Sequence, residues 1–220
     1  IRVVSQLPWL NRVVSCQRVY SRNEILINMM VKRGITTESE ETCAKVVFEP
    51  TDTIYDVSAR VKELVAKNRR AETSGFAVKL ASAVLKIPLL PSLAAGLVKL
   101  LDRYGLLPKA LLDGLPFHTS MFITNLASIK TSYIHHHCYE FGTTSVFVCM
   151  GKPVPNYISG DLTRKMMPIG VVMDERICTG YEYAAFCNDF RRYMRLPQML
   201  EYPFCQEEPE KKPAAETAAV

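Results

Sequence analysis

The stretch Asp174-Glu175-Arg176-Ile177-Cys178-Thr179-Gly180 joins two segments of different character. The residues before it, 166–174, are mostly apolar or β-branched and follow the turn residue Gly160, which predicts a strand. After it, from Gly180 to about Arg195, the spacing of the apolar side chains predicts a helix. Those side chains are Tyr183, Phe186, Cys187, Phe190 and Met194. The sequence therefore predicts a strand, a polar turn and a helix, in that order.

The segments upstream of this turn mix strand and helix patterns. Strands are predicted at 18–31, 43–48, 119–126 and 144–150, which alternate in polarity or are rich in β-branched and aromatic side chains. Residues 53–67, which Asp52 and Thr53 can cap, are predicted as a helix with one apolar face. This order predicts an α/β sandwich rather than a doubly wound nucleotide fold, and the sequence has neither a G-x-G-x-x-G motif nor a P-loop.

The apolar residues 76–112 include one stretch, 81–101, that is long enough to span a membrane. That stretch also contains Lys86, Lys99, Pro88, Pro91 and Gly96. A lysine near the middle of a bilayer is costly, and the prolines would break the helix. We therefore expect two or three short helices, split at 88–91 and at 105–108, with a membrane-associating hairpin as the alternative interpretation.

Composition and charge fit one soluble globular domain. The 220 residues are 48% apolar and 22% charged. The net charge of +5 is scattered, with no basic run longer than a pair, so a nucleic-acid-binding surface is not expected. Residues 1–203 are predicted to form the domain. Residues 206–220 are predicted to be a disordered tail, because Glu, Lys, Pro and Ala leave almost nothing to bury.

The seven cysteines form no C-x-x-C motif, and their number is odd. This pattern fits reduced thiols in a cytosolic protein better than a disulfide framework, so a cytoplasmic location is predicted. Cys149 and Cys178 lie within apolar stretches and are expected to be buried as small hydrophobic side chains.

Several of these segments, in this order, resemble the CoA-dependent acyltransferases of the chloramphenicol acetyltransferase and dihydrolipoamide acyltransferase type. The turn at 174–180 resembles the D-H-R-x-x-D-G signature of that family, and Met-Phe-Ile-Thr-Asn-Leu at 121–126 resembles its F-T-I-S-N-L strand. The number of residues between Thr124 and Glu175 is also close to the number that separates the corresponding positions in that family. The match covers 1–203 and implies a two-layer α/β sandwich, with the first strand and helix of the family pattern lying before Ile1.

The resemblance also implies a homotrimer with a reactive centre at each subunit interface. Coenzyme A, as acyl-CoA, enters from one side, and a small thiol or hydroxyl acceptor enters from the other. In that family a histidine takes the acceptor's proton, a serine or threonine hydroxyl across the interface stabilises the oxyanion, and an aspartate holds the site together. Carried over, these positions are Glu175, Thr124 and Thr179. No metal is implied, and no lipoyl domain precedes the match.

Two of these three positions depart from the family pattern, and the glutamate matters most. An ordinary carboxyl group has a pKa near 4.3 and is a weaker base than imidazole, near 6.5, for a thiol near 8.5. A carboxylate beside a developing oxyanion also adds a repulsive charge. Two functions therefore stay open. One is acyl transfer, with Glu175 or a histidine as the base. The other is a catalytically silent relative that keeps the fold for binding or assembly.

The histidines offer further candidates. His118 precedes the Thr124 strand and either replaces the missing base or is a hydrogen-bonded structural histidine. The run His135-His136-His137 is expected to form a polar patch at a subunit contact or channel mouth. A metal site is disfavoured there, because neighbours on an extended segment face opposite ways and no second ligand pair has zinc spacing. Arg176 is expected to form a salt bridge across the sheet.

Overall fold

A five-stranded mixed sheet lies at the centre of the computed structural model, which describes residues 1–32, 41–70, 90–139 and 141–204. Within those ranges the strands are β1 Arg12–Ser15, β2 Arg18–Ser21, β3 Ile25–Lys32, β4 Glu41–Phe48, β5 Met121–Asn125, β6 Val146–Met150, β7 Val154–Pro155, β8 Lys165–Met166 and β9 Ile169–Met173. The helices are α1 Arg2–Gln6, α2 Ile54–Arg70, α3 Leu90–Arg103, α4 Lys109–Gly114 and α5 Gly180–Arg195. Short 3-10 turns occupy Pro8–Asn11, Leu126–Ile129 and Pro197–Leu200.

The order of strands in the sheet is β4-β3-β5-β6-β9. Strands β3, β5 and β6 run parallel, whereas the edge strands β4 and β9 are antiparallel to their neighbours. The strand pairs β1–β2 and β7–β8 form two small separate sheets. Because β9 runs against β6, the turn that follows β9 lies at the end of the sheet where β5 and β6 begin.

One face of the sheet packs against helices and forms the main core. Val146, the first residue of β6, is fully buried on this face, and Met121, Val148 and Ile27 lie beside it. Helix α5 contributes Phe186 and Tyr193, and the remaining core side chains include Val3, Val4, Leu10, Phe48, Ile177 and Cys178. Helices α1, α2 and α5 form one layer and the sheet the other, so the predicted two-layer α/β sandwich is confirmed.

The opposite face of the sheet is covered by the irregular segment 131–139. Phe147, which is 2% exposed, stacks on Phe122 with ring centroids 5.3 Å apart, and His136 stacks on Phe147 at 5.5 Å. The backbone N–H of Ile134 donates to Sγ of Cys149 at 3.5 Å. This approach requires a glycine in β9, because a Cβ on Gly170 would lie 2.7 Å from the Tyr133 ring.

Most predicted elements are found, and two of the strands are interrupted. The predicted strands 119–126 and 144–150 contain β5 and β6, and the predicted helix 53–67 corresponds to α2. The predicted strand 18–31 is divided into β2 and β3, because the side-chain amide of Asn11 donates to the carbonyls of Arg22 and Glu24 and holds a bend there. The predicted strand 166–174 is divided between β8 and β9 at Pro168, which has no N–H to donate.

The apolar region 76–112 is described only from Leu90 onward, and its earlier residues lie outside the described ranges, as does the predicted tail 206–220. The predicted break at 105–108 is confirmed, because Gly105 adopts a φ of 67° between α3 and α4. None of the helices in the described ranges is both long and apolar enough to cross a membrane. Cys149 and Cys178 are buried, as predicted.

Candidate active site

The turn after β9 is fixed by the side chain of Asp174. Its carboxylate accepts hydrogen bonds from the backbone N–H of Arg176 at 2.9 Å and from Nη2 of the same arginine at 2.6 Å. The backbone N–H of Ile177 donates to the Asp174 carbonyl at 3.0 Å and closes the turn. The prediction of a salt bridge across the sheet is wrong. Arg176 lies in the turn rather than in the strand, so its guanidinium reaches back to Asp174.

This ion pair keeps its charges at neutral pH. Burial alone would raise the pKa of Asp174, but the hydrogen bonds from the side chain and backbone of Arg176 outweigh burial and hold that pKa below its usual value. Between the paired residues, Glu175 is exposed and forms no hydrogen bond or ion pair with any described residue. The turn therefore presents a free carboxylate from a fixed backbone.

Thr179 begins helix α5. Its hydroxyl accepts from the backbone N–H of Glu182 at 3.5 Å, and the Glu182 carboxylate accepts from the backbone N–H of Thr179 at 2.6 Å. This reciprocal pair is a capping box, which satisfies two N–H groups that a helix end leaves without partners. The hydroxyl at the family's aspartate position is thus engaged in stabilising the start of α5.

Thr124 lies near the end of β5, opposite Cys149 of β6. The Thr124 hydroxyl oxygen is buried and has no hydrogen-bond partner among the described residues. A buried hydroxyl without a partner is uncommon, because its desolvation is uncompensated. Among the residues that the structure describes, this donor has no acceptor.

Thr124 and Glu175 lie at opposite ends of the sheet within one chain. Through Cys149, Thr124 is level with Gly170 of β9, and Glu175 follows further along. Strand β9 continues for three residues beyond Gly170, about 10 Å at about 3.3 Å per residue, before the turn that carries Glu175, and the spacing across two strands adds to this offset. One chain therefore does not bring the hydroxyl and the carboxylate together.

His118 is buried just before β5, at the same end of the sheet as Glu175. Its Nε2 lies 2.6 Å from Oδ1 of Asp102 on α3, and its ring meets Phe141 edge-on at 5.4 Å. With Nε2–H donating to the carboxylate, Nδ1 keeps its lone pair. That atom is buried without a partner in the described chain. His118 is thus a buried histidine that is hydrogen-bonded through one ring nitrogen.

The three consecutive histidines lie in different surroundings. His136 packs on Phe147, and burial lowers its pKa. His135 meets Tyr133 edge-on at 5.5 Å. His137 lines a cavity of about 920 Å³ together with Asp102 and Arg176. Across the described ranges, no three metal-ligating side chains converge.

Asp102 and Arg22 are two residues near the site that the sequence did not predict. Asp102 is the partner of His118, and Arg22 lies in the wall of a second cavity beside it. Both depend on contacts between elements that are far apart in the chain, and no local pattern marks them.

No family model matches the sequence, and no curated protein matches it. Solved structures do match. The probable dihydrolipoamide acetyltransferase of Listeria monocytogenes has a TM-score of 0.55 and 12% identity, over 88% of this chain and 65% of that one. The dihydrolipoamide acetyltransferase of Azotobacter vinelandii has a TM-score of 0.56 and 14% identity, over 90% and 66%. The chain has a CoA-dependent acyltransferase-like fold.

A third similar structure is the cubic core of the pyruvate dehydrogenase multienzyme complex, with a TM-score of 0.56 and 13% identity, over 90% of this chain and 66% of that one. The chain spans just under two thirds of the length of these relatives. At this identity the likeness concerns the fold. The predicted resemblance to dihydrolipoamide acyltransferase catalytic domains is confirmed at that level.

Proposed function

We propose that this protein transfers an acyl group between coenzyme A and a small thiol or hydroxyl acceptor, at a site completed between two subunits of a homotrimer. The observation that most supports this proposal is the division of the candidate groups. Thr124 and Glu175 lie at opposite ends of the sheet in one chain, so a site that uses both needs a second copy. Closed symmetric assembly supplies such a copy at every interface.

The proposed chemistry uses Glu175 as the base and Thr124 as the oxyanion donor. The acceptor's sulfur or oxygen attacks the thioester carbonyl carbon of acyl-CoA while Glu175 takes its proton. The Thr124 hydroxyl donates to the resulting oxyanion. The carbon–sulfur bond then breaks, and the CoA thiolate leaves and recovers the proton from Glu175. A carboxylate is a weak base for a thiol, so turnover should be slow at neutral pH.

The described residues fit these roles in three ways. The Thr124 hydroxyl is a buried donor that lacks an acceptor. Glu175 is exposed on a turn that the Asp174–Arg176 pair holds in place. Thr179 organises the adjoining helix through its capping box rather than through a charge. His118 is the alternative base, since its Nδ1 has no hydrogen-bond partner among the described residues.

The proposed homotrimer and the proposed cytosolic location are supported by separate observations. One similar structure is a cubic core and another is the truncated catalytic core of a 2-oxoacid dehydrogenase multienzyme complex from Thermoplasma acidophilum, so this fold forms oligomeric cores in those proteins. Cys16, Cys138, Cys149, Cys178 and Cys187 are free thiols, which fits a reducing compartment such as the cytosol. Sedimentation should show a trimer, and a monodisperse monomer at micromolar concentration would contradict the shared site.

A second candidate function is binding or assembly without catalysis. It is favoured by the chemistry of the turn, where a carboxylate occupies the histidine position and the Thr179 hydroxyl is already engaged in a capping box. The catalytic mechanism of the Azotobacter enzyme was examined at a serine, a histidine and an asparagine, and this chain keeps only a hydroxyl and no histidine at the positions we assign.

Release of free thiol from a panel of acyl-CoAs distinguishes the two functions. We expect slow release by the wild-type chain. Thr124→Val should lower the rate about 10²–10³-fold, as for other oxyanion donors, while Thr124→Ser keeps it. No release with any acyl-CoA favours the silent relative. Fast release that Glu175→Gln leaves unchanged would assign the base to His118 instead.

A double substitution tests the turn itself. Glu175→His alone should help little, because no charged group orders the new imidazole. Adding Thr179→Asp should raise the rate further, since residues that act as a unit are not additive. Aspartate is also a good N-cap, so the start of α5 should survive the change.

A further inference from the structure

Arg22 lies between β2 and β3, and its guanidinium reaches Thr143, just before β6. Its Nη2 donates to the backbone carbonyl of Thr143 at 3.3 Å and to the hydroxyl of the same residue. Its Nε is buried and has no acceptor among the described residues. Within the described chain no carboxylate forms an ion pair with Arg22, in contrast to Arg60 and Arg176, which pair with aspartates.

A second cation lies close to Arg22. Lys45 of β4 donates from Nζ to the backbone carbonyl of Leu112 at 2.7 Å. Burial lowers the pKa of Lys45; Asp113 opposes this effect, and the charge of Arg22 adds to it. Burial also lowers the pKa of Arg22, to about 10, with Glu24 opposing it. Asp113 and Glu24 offset part of this repulsion, although neither forms an ion pair with Arg22.

Arg22 lines a cavity of about 930 Å³. Arg18, Arg103 and Lys109 also line it, so four cationic side chains face the same space. Its acidic side chains are Glu24, Asp102 and Asp113, and Asp102 is engaged by His118. The volume falls within the range of small-molecule sites.

We propose that this cavity binds the carboxylate or phosphate group of a small organic anion, with Arg22 as the main contact. The unpartnered Nε–H needs an acceptor, and the planar guanidinium presents donors in the fork geometry that matches two oxygens of one oxyanion. The four cations in the wall favour an anion over a cation or an apolar ligand. This inference does not rest on the proposed acyl transfer.

Calorimetric titration of the full chain tests this site with two probes at matched ionic strength, inorganic phosphate and succinate. The wild-type chain should bind at least one of them saturably, and the stronger of the two identifies the chemistry of the ligand. Arg22→Gln should weaken that binding about tenfold or more, because it removes the charged fork. Arg164→Gln is the matched control, since Arg164 is 80% exposed on the β7–β8 arm, and it should bind like the wild type.

A separate control checks that the Arg22 variants still fold. Arg22→Gln removes a cation without a counter-ion, so the ligand-free variant should unfold at a similar urea concentration. Arg22→Lys keeps the charge but loses the planar guanidinium, so it should also bind the anion more weakly than the wild type. If Arg22→Gln does not fold, the lysine variant tests the role of the guanidinium in its place. Saturable binding of neither probe, or binding that both Arg22 variants retain in full, would overturn the proposal. Failure of acyl transfer would leave this result unaffected.

Discussion

The two ends of the central sheet are built in different ways. At the end where β9 leaves the sheet, polar groups are paired locally: Asp174 with Arg176, and His118 with Asp102. At the other end the Thr124 hydroxyl is buried without a partner in the described chain. The first end is held by these ion pairs and leaves Glu175 exposed, whereas the second holds a buried donor that has no acceptor among the described residues. This difference is what the proposed site between two subunits would use, because each end supplies a group that the other lacks.

The largest expected effect is at Phe147, which lies on the sheet between the two ends. Phe147→Ala removes a ring that is 2% exposed and stacks on Phe122 and His136. We expect a loss of about 3–5 kcal/mol of unfolding free energy, measured by urea denaturation. Phe147→Leu is the control and should lose much less. A loss below about 1 kcal/mol for the alanine variant would show that segment 131–139 does not pack as described.

The next effect concerns the Glu175 end alone. Asp174→Asn should cost about 1–2 kcal/mol, because a largely buried carboxylate loses charged hydrogen bonds from a mostly exposed arginine. Asp161→Asn is the control, because Asp161 pairs with Arg164 on an exposed arm, and it should change stability little. Equal effects of the two substitutions would contradict the special role of the Asp174–Arg176 pair.

The same pair predicts a pH dependence. The folded pKa of Asp174 is below its usual value, so its contribution to stability is present above about pH 4 and is lost as the pH falls through the folded pKa. The stability difference between wild type and Asp174→Asn should therefore shrink on acidification below about pH 4. A difference that stays constant from neutral pH to pH 3 would contradict this assignment.

A smaller effect is expected at Thr179. Thr179→Ala removes the hydroxyl of the capping box and should cost about 1 kcal/mol, whereas Thr179→Asp should retain most of the stability. Urea denaturation of both variants provides the measurement. If alanine and aspartate are equally harmful, the residue acts through something other than the helix end.

The fold could be predicted where a local pattern was strong. Helix α5 and strands β5 and β6 follow from helical spacing and from runs of β-branched and aromatic side chains. The bend between β2 and β3 could not be predicted, because the amide of Asn11, on another element, holds it. Pro168 was a readable signal for the break before β9, and the strand prediction passed over it.

The candidate site was predicted only in part for the same reason. Thr179 followed by Glu182 is a sequence signature of a capping box, and reading it would have indicated the structural role of Thr179. The positions of Asp102 and Arg22 depend on tertiary packing between α3, α4 and the β1–β2 hairpin. No spacing in the sequence marks either residue as a neighbour of His118.

The shared site is tested most directly by mixing two inactive chains. Thr124→Val and Glu175→Gln variants are combined in equal amounts, dissociated together in mild denaturant and reassembled, and thiol release from acyl-CoA is measured. If each site takes its hydroxyl from one subunit and its carboxylate from the next, about one quarter of the sites regain both wild-type groups, and activity returns to about that fraction of wild type. A mixture that stays as inactive as its two parents, beside an active wild-type chain treated in the same way, would contradict a site completed between subunits.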